Sequence, residues 1–127
     1  MTIKVGINGF GRIGRLCLRA AWDWPDIEFI QLNDPAGDAE THAHLLNFDS
    51  VHGRWQHQAI ASGNTITISD KTLKVTANKA INDTDWSGCD VVIEASGKMR
   101  DSALLHTYLD QGVKRVVVTA PVKQPGI

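Results

Sequence analysis

The chain has 127 residues, with 13 basic against 14 acidic side chains and a formal net charge of −1. That length suits one domain, 1–127, with a genuine core, and the balanced charge, free of lysine or arginine blocks, argues against a nucleic-acid surface or a membrane patch. No apolar run approaches the roughly 18 residues a membrane span needs. Met1 to Lys4 leads straight into an alternating stretch with no signal-peptide core. The two cysteines, Cys17 and Cys89, match neither a zinc spacing nor a disulfide framework. A reducing, cytoplasmic setting and no metal site are therefore expected.

Ile3-Lys4-Val5-Gly6-Ile7 alternates and is β-branched, which predicts a strand. A glycine-rich turn follows from Asn8 to Gly14. A helix is then predicted from about Arg12 to Trp22, with Ile13, Leu16, Cys17, Ala20 and Trp24 giving one apolar face. Pro25 disfavours helix at Trp24 and closes it. Ile27 to Leu32 reads as the second strand and Asn33 to Gly37 as a loop. Asp38 can cap a short helix through about Asn47. Strand, helix, strand, helix predicts a parallel sheet with right-handed connections.

The middle changes character. Thr65 to Ile68 and Leu73 to Thr76 are short alternating runs separated by Ser69 to Thr72, so an antiparallel hairpin is expected, inserted between two halves of the domain. Asp83 to Gly88 is a loop leading into a second α/β unit. Val91-Val92-Ile93-Glu94 is nearly all apolar, as a strand covered on both faces should be. Asp101 or Ser102 can cap a helix to Gln111, which Gly112 is suited to end. Val116 to Thr119 is the next strand. A second mononucleotide-binding half normally supplies three strands. Two are visible, so the expected fold is a doubly wound α/β (Rossmann) domain with an inserted hairpin, cut short before its last strand.

Gly9-Phe10-Gly11-Arg12-Ile13-Gly14 fits the spacing G-x-G-x-x-G. Gly9 would permit the tight turn, Gly11 would let a pyrophosphate approach bare backbone, and Gly14 would let helix and sheet pack closely. The helix N-terminus beyond it suits an anion. Three fixed glycines arise by chance in roughly 4% of chains this long, so the pattern alone is weak. Its context sharpens it: a strand precedes, a helix follows, and Asp34 ends the second strand 20 residues after Gly14. An acid there can accept hydrogen bonds from both ribose hydroxyls of NAD and would repel the extra phosphate of NADP.

Val5 to Arg15 closely resembles the opening of the glyceraldehyde-3-phosphate dehydrogenase family. The likeness continues in Asn33-Asp34, His44-Leu45-Leu46, Asp49 to Arg54, Glu94-Ala95-Ser96-Gly97 and Val118-Thr119-Ala120-Pro121, in the family's order. The resemblance implies an NAD site built from Asn8, Gly9, Phe10, Gly11, Arg12 and Ile13 at the glycine turn, and from Asn33 and Asp34 at the second strand's end. Arg12 and Ile13 would give backbone N–H groups to the pyrophosphate, and Asp34 would hold the adenosine ribose. Lys79 would lie near the adenine, Ser96 and Gly97 would line the groove, and Thr119 would lie near the nicotinamide ribose. Three departures fall mostly around the adenine: Lys79-Ala80-Ile81 stands where an Arg-Asp-Pro run is common, Met99 where an aromatic is usual, and Pro35 where leucine is frequent.

The resemblance also implies the chemistry of a full-length enzyme. A cysteine thiolate activated by histidine attacks the aldehyde, hydride passes to NAD, and inorganic phosphate cleaves the thioester. The family's Ser-Cys-Thr-Thr-Asn-Cys type of segment does not occur in this sequence. No catalytic residue is therefore assigned, and sugar phosphate and phosphate (or arsenate) would be met only through a separate catalytic portion. The resemblance implies a cytoplasmic, glycolytic oxidoreductase and a homotetramer. Two alternatives stay open: the NAD-binding domain of an erythrose-4-phosphate dehydrogenase, and a standalone NAD-sensing module. Trp22 to Pro25 and Asn33 to Gly37 also resemble a bacterial branch associated with arsenate resistance.

Other conspicuous residues have plainer readings. Cys17 and Cys89 are expected to be structural. His42 and His44 stand two apart and so point about 200° apart on a helix, which argues against a shared metal. His52, His57 and the four tryptophans are expected to pack. Arg15 and Arg19 are expected to be solvated or to touch another subunit.

Overall fold

A computed structural model describes residues 2–49, 53–55, 57–79, 81–96 and 102–119. In chain order it holds β1 (Ile3–Asn8), α1 (Arg12–Ala21), β2 (Ile27–Asn33), α2 (Ala39–Asn47), β3 (Phe48–Asp49), β4 (Gly53–Arg54), β5 (Ala59–Ser62), β6 (Thr65–Ile68), β7 (Lys71–Thr76), a 3₁₀ turn (Ile81–Asp83), β8 (Val91–Glu94), α3 (Ser102–Asp110) and β9 (Arg115–Val118). Seven strands form one sheet in the order β5-β6-β7-β2-β1-β8-β9, and β3 and β4 make a separate small pair. From β7 to β9 neighbours run parallel, whereas β5, β6 and β7 pair antiparallel.

The expected antiparallel hairpin is present, as β6 paired with β7. The structure adds that β7, its second arm, also pairs in parallel with β2 through Gln31 to Asn33. It is the third strand of the first half, and β6 and β5 extend the sheet outward from it. The Ala59–Ser62 strand was not expected. Alanine is a poor strand former, and the run is held by pairing with β6 rather than by its own preference. The second half contributes β8 and β9 among the described residues, as expected.

The sheet separates two apolar clusters. Val5 and Ile7 of β1 face Leu18, Phe29, Leu46, Ile66 and Leu73. Gly6, between them, faces the other way, toward Trp86 and Cys89 of the cluster that also holds Val92 and Tyr108. A side chain at Gly6 would lie 2.7 Å from Cys89 Sγ and 2.8 Å from the Trp86 ring. Within β8 the two faces differ. Val92 and Glu94 are buried and Val91 and Ile93 half-buried, so this strand is fully covered on one face only.

Helix α1 presents a different face from the expected one. Gly14 and Leu18 are its buried residues, whereas Ile13 is 52% and Trp24 57% exposed. Ala20 is exposed, and Leu16 and Cys17 are half-buried. The reason is the close approach at Gly14, where a Cβ would collide with the Gly9 carbonyl oxygen. That contact turns the Gly14–Leu18 row to the sheet, and apolar periodicity cannot register a glycine as a packing residue. Arg15 and Arg19 are half-buried rather than solvated. Arg15 donates to the Phe10 carbonyl at 3.3 Å and Arg19 lies over the Trp55 ring.

Asp38 caps α2 as expected, accepting from the Thr41 N–H at 2.9 Å, a bond that holds its carboxyl below the usual range. Gly112, at φ +99, ends α3 and lets the Val113 N–H return to the Tyr108 carbonyl. Asp101, the other cap considered for α3, lies outside the described residues.

Candidate functional site

The glycine turn lies where β1 ends between β2 and β8. Strand order reverses there, with β2 and β7 on one side and β8 and β9 on the other. Open parallel sheets bind ligands outside the carboxyl ends at such a point. Gly9 has φ +95, and its N–H reaches the Asn33 carbonyl at 2.7 Å. A Cβ on it would overlap the Ser96 backbone. Only glycine therefore lets the loops after β1 and β8 meet.

Gly11 is the opposite case, since a Cβ there would meet nothing within 4 Å. It opens onto space at the N-terminus of α1, where no described side chain caps the helix. The first N–H groups of that helix have no intrahelical acceptor, and they carry the positive end of its dipole. Bare backbone, open space and free donors together fit a bound diphosphate.

Asp34 faces this turn from the end of β2. Its Oδ2 accepts from the Phe10 N–H at 2.7 Å and its Oδ1 from the Ala36 N–H at 2.8 Å. A carboxylate has about four acceptor sites. One is used in tying the glycine turn to the end of β2, one in closing Asp34's own loop at Ala36, and two remain for a diol. Gly9, Gly11, Asp34, Pro35, Ala95 and Ser96 line a cleft of about 140 Å³. That is below the roughly 300–1,000 Å³ of a closed ligand pocket, so it suits the floor of an extended groove.

The structure thus brings Gly9, Gly11, Asp34 and Ser96 into one cleft. Arg12 and Ile13 stand exposed beside it in the first turn of α1. Asn8, Phe10 and Asn33 lie beneath it, each almost fully buried. The Phe10 ring packs edge-on against His42, so Phe10 offers the turn its backbone alone. Lys79 is exposed and does not line the cleft. Thr119, also exposed, is tied to the end of β8 by its N–H to the Glu94 carbonyl at 3.1 Å. Gly97 lies outside the described residues.

Under the cleft runs a polar belt that the sequence did not reveal. Asn33 Oδ1 accepts from the Asn78 N–H at 2.8 Å and from the Thr76 hydroxyl at 2.7 Å. Asn33 Nδ2 donates to Asn8 Oδ1 at 2.8 Å, and Asn8 Nδ2 donates to Glu94 Oε1 at 2.8 Å. The Tyr108 hydroxyl donates to the same Oε1. Glu94 is 1% exposed. Burial first, and then the Glu94 charge, push the Tyr108 hydroxyl far above its usual range, so it stays protonated. One sequence signal was available: an acid ending an otherwise apolar strand, Val91-Val92-Ile93-Glu94.

Other candidates resolve quietly. A larger groove of about 670 Å³ lies between α2 and β5, lined by Glu40, Ala43, His44, Asn47 and Ile60 among others. Its lining includes neither the glycine turn nor Asp34. Burial pushes the Cys89 thiol up to about 12 and raises that of Cys17, so both stay protonated and inert. His57 bonds to Asp23 at 2.9 Å beside Trp22 and Trp55, the packing role expected of it, while His52 lies outside the described residues. Among the described residues no His, Cys, Asp or Glu group could hold a metal, and no helix is long and apolar enough to cross a membrane.

Residues 3–102 match the family described as the glyceraldehyde 3-phosphate dehydrogenase, NAD binding domain. The chain belongs to this family. Its cofactor is accordingly NAD, and the cleft's bare turn and the acid beside it are chemically suited to that dinucleotide. Among curated relatives, glyceraldehyde-3-phosphate dehydrogenase 3 of a Nostoc species is 48% identical over the whole of this chain. The Geobacillus stearothermophilus glyceraldehyde-3-phosphate dehydrogenase is 44% identical over the same span, and glyceraldehyde-3-phosphate dehydrogenase 1 of Bacillus subtilis 39%. The chain spans about 38% of the length of each of these relatives.

Proposed function

We propose that this domain holds NAD for a phosphorylating glyceraldehyde-3-phosphate dehydrogenase, with the cleft between the ends of β2, β1 and β8 as the site. Bound there, NAD supplies the hydride acceptor for oxidation of an aldehyde. Backbone N–H groups of Arg12 and Ile13 hold the diphosphate against Gly11. Asp34 grips the adenosine ribose, and Ser96 forms the opposite wall. Lys79 reaches the adenine side and Thr119 the nicotinamide ribose. The nucleophilic cysteine, its histidine and the phosphate-binding residues belong to a part of the full-length protein that this chain does not span. A sugar phosphate and inorganic phosphate are the proposed substrates, and a homo-oligomer the proposed assembly. The names of the relatives support this reading.

One observation carries the site assignment. Asp34 is bonded to the glycine turn through Oδ2 and to its own loop at Ala36 through Oδ1, and it retains an acceptor site on each oxygen. The same carboxylate repels a 2′-phosphate, so NAD is preferred over NADP. The test is titration of the full-length protein with both dinucleotides. Asp34→Ala should weaken NAD binding by about tenfold or more, the worth of hydrogen bonds to a charged group, and should narrow the gap to NADP. Unchanged NAD affinity in that variant would remove the assignment.

A further inference from the structure

His42 lies in the first half of α2 and is 3% exposed. Its ring touches both segments that meet at the Asp34 end of the cleft. On one side it packs edge-on against Phe10, with ring centroids 5.5 Å apart. The Phe10 N–H is the donor that holds Asp34 Oδ2. On the other side runs the loop from Asp34 to Asp38. Gly37, at φ +88, lies so close there that a Cβ would come within 3.3 Å of His42 Cε1 and 3.6 Å of Nε2. The imidazole is thus wedged between the glycine turn and the Asp34 loop. Neither of its nitrogens has a hydrogen-bond partner, and both are sealed from solvent.

A neutral imidazole has one donor and one acceptor, whereas a protonated one has two donors and a charge. An unpaired buried cation is far costlier than an unpaired neutral ring. The charged groups that act on it are Asp34 at the end of β2, Asp38 at the head of α2 and Arg15 on α1. Burial, with a smaller contribution from Arg15, outweighs the two acids and keeps the pKa below the usual 6.5, so the ring is neutral at pH 7. Both acids are already engaged, Asp38 with the Thr41 N–H and Asp34 with the N–H groups of Phe10 and Ala36. A proton on His42 can therefore be accommodated in two ways. The ring leaves for water and the wedge is lost, or a carboxylate turns toward it and its present bonds are strained.

We propose that His42 is a positioning residue for NAD and an acid-sensitive one: the neutral ring holds the glycine turn and the Asp34 loop in register, and protonating it draws that loop out of place, so that NAD and a proton on His42 exclude one another. This inference rests on the cleft being the NAD site. A cation there would also attract the cofactor's diphosphate, which acts in the opposite direction. That attraction makes no bond, whereas a displaced Asp34 loses direct ones, so the net effect of acid is weaker binding. By linkage, NAD binding then expels the proton.

The test is calorimetry of NAD binding to the full-length protein from pH 7 to pH 5, in two buffers of different ionisation enthalpy so that released protons are counted. The wild type is expected to lose about tenfold in affinity over that range, the worth of a hydrogen bond to a charged group. The loss should set in below 6.5 and be accompanied by proton release. His42→Gln does not titrate, so it should flatten the pH profile and lower the proton count, whereas a merely structural defect would shift affinity equally at every pH. If His42→Gln fails to fold, His42→Met takes its place. The same slope and proton count in wild type and variant, or tighter NAD binding by the wild type in acid, would overturn the proposal. Asp34→Ala in the same assay separates the two readings. If it binds NAD normally at pH 7, the cleft assignment fails and this inference with it; if it loses affinity while the wild-type and His42-variant profiles coincide, only the role of His42 falls.

Discussion

Two carboxylates end two strands on either side of the glycine turn, and they are built oppositely. Asp34 at the end of β2 is half-buried, takes two backbone N–H groups and keeps acceptor sites open to the cleft. Glu94 at the end of β8 is sealed and takes four donors from Asn8, Tyr108 and Ser96. An acid with capacity to spare can recognise a ligand. An acid with none can only organise its neighbours. The same functional group therefore does two jobs, and the number of donors already engaged decides which.

Three further variants probe that contrast. The largest effect is expected from Gly9→Ala, which strikes both sides at once. The position has φ +95, and the added Cβ would overlap the Ser96 backbone. A stability loss of at least about 3 kcal/mol is expected in denaturant titration, together with loss of NAD binding. A variant that folds and binds normally would show that the two sides do not depend on each other.

The next two variants touch the Asp34 side alone. Asp38→Ala removes the cap of α2, the helix that follows the Asp34 loop. It should cost about 1 kcal/mol, with NAD affinity changed far less than by Asp34→Ala. Equal losses of affinity would mean that the loop, and not the carboxylate, provides recognition.

The smallest effect at neutral pH is expected from His42→Leu. His42 is buried edge-on against Phe10, and neither ring nitrogen has a hydrogen-bond partner among the described residues. Burial holds its pKa below the usual 6.5 with a contribution from Arg15, against the opposing pull of Asp34 and Asp38. The unfolded imidazole takes a proton as pH falls below about 6.5, while the folded one resists until lower pH. Its contribution is therefore intact above 6.5 and is lost as pH falls through the folded value. Leucine should make stability fall less steeply between pH 7 and pH 5, as read from denaturation midpoints. An unchanged slope would mean that His42 does not titrate on unfolding as described.

The sequence alone determined a good deal: the order of strands and helices along most of the chain, the G-x-G-x-x-G turn, Asp34 at the second strand's end, the cap at Asp38 and the stop at Gly112. Each depends on neighbours a few residues apart, where propensity, capping and glycine chemistry act. Tertiary structure alone decided which face of α1 is buried, because a collision avoided at Gly14 outranks apolar spacing. It made β7 a member of the parallel sheet, since parallel pairing joins strands far apart in the chain. It also assembled the Glu94 belt, whose partners Asn8 and Glu94 lie 86 residues apart, and Asn8 and Tyr108 100 apart. Hydrogen bonds across such separations leave no period in the sequence, and they form only once the sheet has brought the strand ends together.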